Sequence, residues 1–241
     1  MNSQAVSCIG TLCENLFSFH HTLRAMMSEL QDSLVDSASS ETAAPMLPVR
    51  KRPKPGERRV QILQALAAML EQPSGERITT AALAARLAVS EAALYRHFAS
   101  KAQMFEGLIE FIEQSVFTLT GQIQQREASA LETAAQVGLR QAAQIATMLI
   151  QFGEKNPGMA RVMVGDALVF ENERLQQRMN QFFDKVEATL KQCLRDGGPD
   201  AQVRASVLAA FVVGRLQRFV RSGYRRAPSE NLDSALALML G

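Results

Sequence analysis

The side chains best suited to chemistry in this sequence lie between residues 78 and 101, in the stretch ITTAALAARLAVSEAALYRHFASK. Small side chains at Ala92 and Ala93 come just before a polar triplet at residues 95–97, and a lysine follows at Lys101. Small residues let a helix approach the edges of DNA bases, and hydroxyl, imidazole and ammonium groups suit phosphate oxygens. This order of residue types predicts a DNA-binding surface.

Two short helices joined by a tight turn must position these side chains. The first helix is predicted to open at Thr79 or Thr80. The second is predicted to start at Ser90, whose hydroxyl can accept a hydrogen bond from a free amide of the first turn. The apolar positions that recur at helical spacing are Leu83, Ala84 and Leu87 in the first helix, and Leu94 and Phe98 in the second. This pattern predicts a helix-turn-helix motif over residues 79–98.

Amphipathic helices are predicted on both sides of the motif. The preceding helix runs from Glu57 to Glu71. The following helix opens at Ser100, which forms a capping-box pattern with Gln103. Its inward stripe consists of Phe105, Leu108, Ile109, Ile112, Val116, Leu119 and Ile123. A stripe of this length predicts that the helix joins the DNA-binding motif to the rest of the chain.

Phe111 lies outside that stripe, roughly 120° around a helix that turns 100° per residue. An off-stripe phenylalanine either packs against a neighbouring element or serves as an exposed anchor for a protein partner, because aromatic residues are enriched at interface hot spots. The helical spacing alone favours neither alternative.

Further helices are predicted in the second half of the chain. One runs from about Leu131 to Glu154 and stops at the helix-ending triplet 156–158, and short helices continue to about Phe170. Two longer helices follow at residues 173–195 and 200–221, and the second has more apolar surface than one neighbouring helix would cover. This surplus suits a symmetric four-helix dimer interface. We therefore expect an all-α protein, with a DNA-binding domain over residues 57–116 and a helical dimerisation and partner-binding domain over residues 117–241.

Charge is concentrated ahead of the first domain. Residues 1–49 hold one arginine and five acids, a net charge of −4, whereas residues 50–59 hold six bases and one acid, a net charge of +5. We expect residues 1–49 to form a disordered or weakly structured extension. Residues 50–59, which include Arg58 and Arg59, are predicted to be a basic arm that lies along phosphates.

No residue set in the sequence matches a catalytic, cofactor or metal site. Glycine-rich phosphate loops, HExxH and CxxC motifs are absent, and the adjacent His20 and His21 have no further ligand nearby. Cys8, Cys13 and Cys193 cannot form a disulfide framework, and Cys193 is predicted to be a small buried residue. No apolar run is long enough to span a bilayer, and no export signal is recognisable. We expect a cytoplasmic, non-enzymatic protein without a cofactor.

These features together resemble the TetR family of transcription regulators. The resemblance begins at about Glu57, with RRVQILQALAAMLE and the helix-turn-helix stretch quoted above. It continues through FEGLIEFIEQS, FGEKNPGMARVMVGDALVFENERLQQRMNQFF and RFVRS, which are similar to the nucleoid occlusion branch of that family. The resemblance implies a homodimer that binds palindromic chromosomal sites and assembles further on DNA. It also implies that the DNA-bound protein captures the C-terminal tail of the division GTPase FtsZ and antagonises division-ring assembly over the nucleoid.

The same resemblance implies which residues act. The DNA-binding set is Thr79, Thr80, Ser90, Ala92, Tyr95, Arg96, His97 and Lys101. The FtsZ-tail set occupies a groove between the fourth and fifth helices and consists of Phe111, Met148, Gln151, Lys155 and Asn156. Within the first set, Lys101 also lies at a helix N-terminus, which attracts phosphate.

Three positions depart from the family pattern. Ala88 occupies the turn position that glycine usually holds, at a cost of roughly 1 kcal/mol if its φ is positive. Ala99 replaces the usual proline before Ser-Lys, and Leu119 stands where relatives carry an arginine on the partner surface.

An alternative function is that of a ligand-responsive repressor of the same fold. That function requires a pocket in the helical core with a few convergent polar groups.

Overall fold

The computed structural model describes residues 56–72, 77–126, 128 and 131–241, and all regular secondary structure in these ranges is helical. The α-helices are α1 Glu57–Leu70, α2 Thr80–Arg86, α3 Glu91–Tyr95, α4 Lys101–Gln125, α5 Ala134–Lys155, α6 Pro157–Met163, α7 Glu173–Leu194, α8 Ala201–Arg221 and α9 Leu232–Leu240. Short 3₁₀ turns occur at Asp166–Leu168 and Arg195–Gly197. The predicted all-α fold is confirmed.

Polar caps define the helix-turn-helix motif. The Thr79 hydroxyl accepts a hydrogen bond from the amide of Ala82 at 3.1 Å, and the Ser90 hydroxyl accepts one from the amide of Ala93 at 3.3 Å. Both helix starts therefore agree with the prediction. Between the helices, Ala88 has a φ of 52°, so an alanine occupies the left-handed conformation that glycine adopts more easily.

The helices α1, α2 and α3 and the first turns of α4 form a unit that we call the reader. Its core side chains are at most 1% exposed and are Ile62, Leu66, Leu83, Leu94 and Phe98. Leu87, which the helical spacing predicts to be inward, is only half-buried. The reader is therefore held by a small apolar core that leaves the outer face of α3 at the surface.

The long helix α4 extends from the reader into the C-terminal half. Its predicted stripe is buried as far as Val116, whereas Leu119 and Ile123 are half-buried. The Ser100 hydroxyl caps it as expected, but the Gln103 side chain accepts from the amide of Ala99 at 2.8 Å instead of completing the box at Ser100. The predicted domain boundary at residues 116–117 lies inside this continuous helix.

The reader contacts the C-terminal half of the chain at the end of α1, and we call this contact region the seat of the reader. A Cβ atom at Gly158, in α6, would overlap the carbonyl oxygen of Ala67 in α1, so glycine permits this close approach. Arg161 donates to the carbonyl oxygens of Leu70 and Gln72, each at 3.2 Å. The last carbonyl of α1, at Leu70, and the carbonyl of Gln72 just beyond the helix thus receive hydrogen bonds from the C-terminal half.

One helix start and one whole helix differ clearly from the sequence predictions. The helix expected from about Leu131 begins at Ala134, because Thr133 and Gln136 form a complete capping box there. The terminal helix α9 was not predicted, and it follows Asn231, which has a φ of 52°.

The pair α7 and α8 lies at one side of the C-terminal half. Val203 and Val207 of α8 are 63% and 48% exposed, while Leu208, Val212 and Leu216 on the opposite side of that helix are fully buried. The surplus of apolar surface expected for this helix is therefore present.

The predicted extension over residues 1–49 lies outside the described residues, as do residues 50–55 of the predicted basic arm. Arg58 and Arg59 belong to α1. In the described ranges no helix is long and apolar enough to cross a membrane, and no cluster of metal-ligating side chains occurs there. Cys193 is buried as expected, and burial raises the pKa of its thiol.

Candidate DNA and partner surfaces

The outer face of α3 carries the predicted base- and phosphate-contacting residues. Ala92, Arg96 and His97 are exposed, and the Tyr95 side chain is 45% exposed. Because α3 is only five residues long, its small N-terminal part and its polar C-terminal end lie within about one and a half turns. The structure thus leaves all four residues accessible along α3 and the two residues that follow it.

The three predicted hydroxyl residues also have structural roles. Thr79 and Ser90 cap α2 and α3 and remain exposed. The Thr80 hydroxyl donates to the carboxylate of Glu91 at 2.6 Å, which ties the start of α2 to the start of α3. Thr80 is therefore engaged within the motif.

Arg59 of α1 contacts the residues at the end of α3, behind its exposed DNA-reading face. Its guanidinium donates to the carbonyl oxygen of His97 at 3.0 Å and lies 4.3 Å from the centroid of the Phe98 ring. This cation–π contact and hydrogen bond fix the end of α3 against α1. Arg58 donates to Gln61 at 3.0 Å. The structure places both arginines in the helix that was predicted from Glu57, so they belong to α1 as well as to the end of the predicted basic arm.

Lys101 lies at a junction that the sequence did not predict. Its ammonium group forms an ion pair with Glu171, which follows the first 3₁₀ turn in the C-terminal half. The two side chains are 19% and 9% exposed. The residue expected to contact phosphate is therefore paired, in this structure, with a largely buried carboxylate.

The predicted partner groove between α4 and α5 is largely filled by its own side chains. Phe111, Met148 and Asn156 are 7%, 1% and 5% exposed, whereas Gln151 is half-buried and Lys155 is exposed. The alternative that Phe111 is an exposed anchor is wrong for this conformation, because the ring packs within the apolar core. Asn156 caps the end of α5 by donating to the carbonyl oxygen of Phe152 at 2.9 Å.

Among the buried polar groups along the same seam, Gln151 was a predicted site residue, whereas Ser115 and Gln144 were missed by the sequence prediction. Within the described residues, the Ser115 hydroxyl and the side-chain carbonyl oxygens of Gln144 and Gln151 are buried without a hydrogen-bond partner. Gln144 and Gln151 are one heptad apart and share a face of α5 with Met148. Nearby, Gln141 donates to the carbonyl oxygen of Gln124, which holds this flank of α5 against α4. The signal available in the sequence was a row of glutamines at helical spacing, namely Gln141, Gln144 and Gln151.

A cavity of about 600 Å³ lies between the first 3₁₀ turn, α7 and α8. Its lining mixes apolar side chains such as Met179 and Phe183 with Asp184, Gln217 and Arg221. A second cavity of about 320 Å³ lies at the seat of the reader, where Arg77, Phe105, Glu171 and Tyr224 are among the lining residues.

Tyr224 contributes to the seat of the reader from the end of α8. Its hydroxyl donates to the carbonyl oxygen of Leu70 at 3.2 Å. Burial is the main cause that raises the pKa of this phenol. The seat is thus closed on one side by a neutral hydrogen-bonded tyrosine.

The fold and the exposed face of α3 define a TetR-type DNA-binding protein. Residues 62–108 match the family described as bacterial regulatory proteins of the tetR family, and residues 136–240 match the SlmA-like family described as a tetracyclin repressor-like C-terminal domain. The fold is also that of the FadR regulator of Bacillus halodurans, with a TM-score of 0.63 at 14% identity, covering 78% of this chain and 97% of that one. PfmR of Thermus thermophilus has the same fold, with a TM-score of 0.56 at 19% identity, covering 75% of this chain and 97% of that chain.

Relatives of higher identity cover both halves of the chain. The nucleoid occlusion factor SlmA of Aliivibrio fischeri is 47% identical over 196 residues, which are 78% of this chain and 96% of that protein. SlmA of Idiomarina loihiensis is 45% identical over 190 residues, covering 76% of this chain and 93% of that protein. The chain belongs to the SlmA family of DNA-binding regulators.

Proposed function

We propose that this protein is a cytoplasmic, nucleoid-associated nucleoid occlusion factor. Bound as a homodimer to palindromic chromosomal sites, it captures FtsZ and antagonises division-ring assembly over the nucleoid. The observation that carries this proposal is the 47% identity that extends over 96% of a relative named as a nucleoid occlusion factor. This identity includes the C-terminal half, where regulators that share only the reader would differ.

DNA binding rests on the face formed by Tyr95, Arg96 and His97. The exposed Ala92 lets the first turn of α3 approach base edges, and the polar end of the helix meets phosphates. A dimer built on α7 and α8, with Val203 and Val207 at its interface, presents two such helices to successive turns of the major groove, about 34 Å apart.

FtsZ capture is assigned to the groove between α4 and α5. Phe111 and Met148 supply an apolar floor, and the exposed Lys155 suits an acidic group of a linear tail. The buried, unpartnered oxygens of Gln144 and Gln151 can accept hydrogen bonds from backbone amides of that tail. Because the groove is filled in the free protein, tail binding requires these side chains to move apart.

Sedimentation of FtsZ polymers with this protein, in the presence and absence of its cognate DNA duplex, tests the proposal. We expect the DNA-bound protein to bind FtsZ and to reduce the amount of sedimented polymer. If the DNA-bound protein neither binds FtsZ nor changes its polymers, the proposal is wrong.

The second candidate function is a ligand-responsive repressor. The cavity of about 600 Å³ beside α7 and α8 favours it, because that volume would hold a small ligand. A repressor would release its DNA on binding an effector and would leave FtsZ polymers unchanged, so the same sedimentation experiment separates the two functions.

A further inference from the structure

We propose that Glu171 limits the DNA affinity of this protein by holding Lys101, the residue assigned to a DNA phosphate. This inference rests on the proposed DNA-binding function and adds to it a residue that lies outside the reader. The carboxylate of Glu171 and a phosphate oxygen compete for one ammonium group, so each contact to DNA at this position requires an ion pair to open.

The ion pair competes strongly with a phosphate because its two side chains are largely buried. Lys101 is the first residue of α4, at the end of the reader, and Glu171 belongs to the C-terminal half. The Glu171 side chain is 9% exposed and that of Lys101 is 19% exposed, so neither charge is well hydrated in the free protein. Removing one partner of such a pair leaves the other charge in a poorly solvated position, which is unfavourable.

The surroundings of Glu171 allow the pair to open without unseating the reader. Val169 and Phe170, the residues before it, are 59% and 70% exposed, so little packing opposes a movement of this segment. The seat of the reader depends on different contacts, namely those of Arg161 with Leu70 and Gln72. Opening of the pair therefore changes the charge at the DNA-facing end of α4 while α1 stays on α6.

A second cation lines the same cavity as the Glu171 carboxylate. Arg77 and Glu171 line the same cavity of about 320 Å³, and Arg77 is exposed. We infer that Glu171 turns to Arg77 when Lys101 moves to phosphate, which reduces the unfavourable charge but does not remove it. Glu171 is thus a positioning residue for Lys101. It determines how much of the free energy of the Lys101–phosphate contact contributes to DNA affinity.

The test measures binding of the full-length protein to fluorescent duplexes, with and without the cognate palindrome, by anisotropy. Glu171→Gln should bind both duplexes about tenfold more tightly than the unmodified protein, because a phosphate contact is independent of sequence. Glu173→Gln is the matched control, since Glu173 is an exposed acid two residues away and its loss changes the net charge equally. We expect the control to stay within about twofold of the unmodified protein.

A double variant shows whether the effect of Glu171 on DNA affinity acts through Lys101. Lys101→Ala should weaken binding to both duplexes, and Glu171→Gln added to Lys101→Ala should change affinity by less than about twofold, because no ammonium group remains to be released. Glu171→Asp, which keeps the charge but shortens the side chain, should give a smaller gain than Glu171→Gln. It also serves as the second variant if Glu171→Gln shows a lowered melting temperature.

Each outcome has a distinct meaning. If Glu171→Gln and Glu171→Asp bind no more tightly than Glu173→Gln, while Lys101→Ala binds more weakly, the inference about Glu171 is wrong and the DNA-binding function stands. A gain from Glu171→Gln that persists in the Lys101→Ala background would overturn the competition for Lys101. If the unmodified protein does not bind the duplexes, the proposed function itself fails.

Discussion

The DNA-reading face and the groove between α4 and α5 are built in opposite ways. Tyr95, Arg96 and His97 are exposed and need no rearrangement to reach DNA, whereas Phe111 and Met148 are 7% and 1% exposed. The exposed part of the first surface is ready in the free protein, although the ion pair of Lys101 with Glu171 must open before Lys101 can bind phosphate, whereas the whole of the second has to open. DNA binding here therefore depends on polar and charged groups that are mostly at the surface already, while the proposed capture of the FtsZ tail would depend on how readily two packed helices admit a peptide.

The largest effect is expected from Phe111→Ala, which truncates the buried ring of the groove. We expect a loss of at least about 3 kcal/mol in the free energy of unfolding. Binding of a labelled FtsZ C-terminal peptide should fall at least about tenfold, and DNA affinity should stay within about twofold because the site lies outside the reader. Urea unfolding and anisotropy measure these quantities.

Phe182→Ala is the matched control for that prediction. Phe182 is fully buried in α7 and packs edge-on against Phe117, so its truncation costs similar stability away from the groove. If both variants lose the peptide equally, Phe111 acts only as a core residue and the groove assignment is wrong.

Tyr95→Ala tests the other surface and should have the next largest effect on binding. Because the side chain is 45% exposed, the free energy of unfolding should change by less than about 0.5 kcal/mol. DNA affinity should fall about tenfold on both cognate and non-cognate duplexes. Leu238→Ala removes an 87% exposed side chain from α9 and should leave DNA binding unchanged. A large loss of stability in Tyr95→Ala would show that the reading face is not independent of its core.

Gln144→Leu separates binding from stability within the groove. Its side-chain carbonyl oxygen is buried without a partner, so the substitution should raise the free energy of unfolding by about 1 kcal/mol. The same change should weaken peptide binding several-fold. Gln141→Leu is the control of opposite sign, since Gln141 donates to the carbonyl oxygen of Gln124 and its loss should lower stability. Unchanged peptide affinity in Gln144→Leu would remove Gln144 from the binding site.

The smallest effect is expected from Ala88→Gly in the turn of the reader. Alanine at a φ of 52° carries a strain of about 1 kcal/mol, part of which is offset because glycine makes the unfolded chain more flexible. We expect a gain of about 0.5 kcal/mol, measured as a small rise in melting temperature, with DNA affinity unchanged. A decrease in stability would mean that the entropy gained by the unfolded chain outweighs the relief of backbone strain at residue 88.

Local patterns in the sequence were sufficient for most of the helices. Ser90 was predicted as a cap because its hydroxyl precedes a helical run, and the first helix was predicted to start at Thr79 or Thr80, where Thr79 is the cap. Strain at Ala88 was expected if its φ is positive, because relatives usually have glycine at this turn position. The terminal helix α9 could not be predicted, because its start depends on the left-handed backbone of Asn231 and its sequence has no polar face to reveal a period.

Contacts between distant residues were the part that could not be predicted. The partner of Lys101 lies 70 residues away, and no periodicity connects two positions at that separation. The same holds for Phe111, whose burial depends on the packing of α5 against α4. For both residues the sequence could indicate a candidate site on a helix but could not show whether that site is occupied by the protein itself.

The helix α4 also sets the distance between the two proposed binding sites. Lys101 and Phe111 lie ten positions apart on this 25-residue helix, so about 15 Å would separate a DNA phosphate bound at one from a peptide bound at the other. Electrostatic forces decay over about 8 Å at physiological ionic strength and over about 30 Å at 0.01 M salt. Mutual repulsion is therefore weak in cell-like salt and substantial in dilute buffer, where DNA alone binds most tightly. If both proposed sites are occupied, their spacing along one helix thus sets the ionic-strength range in which the two ligands can bind together.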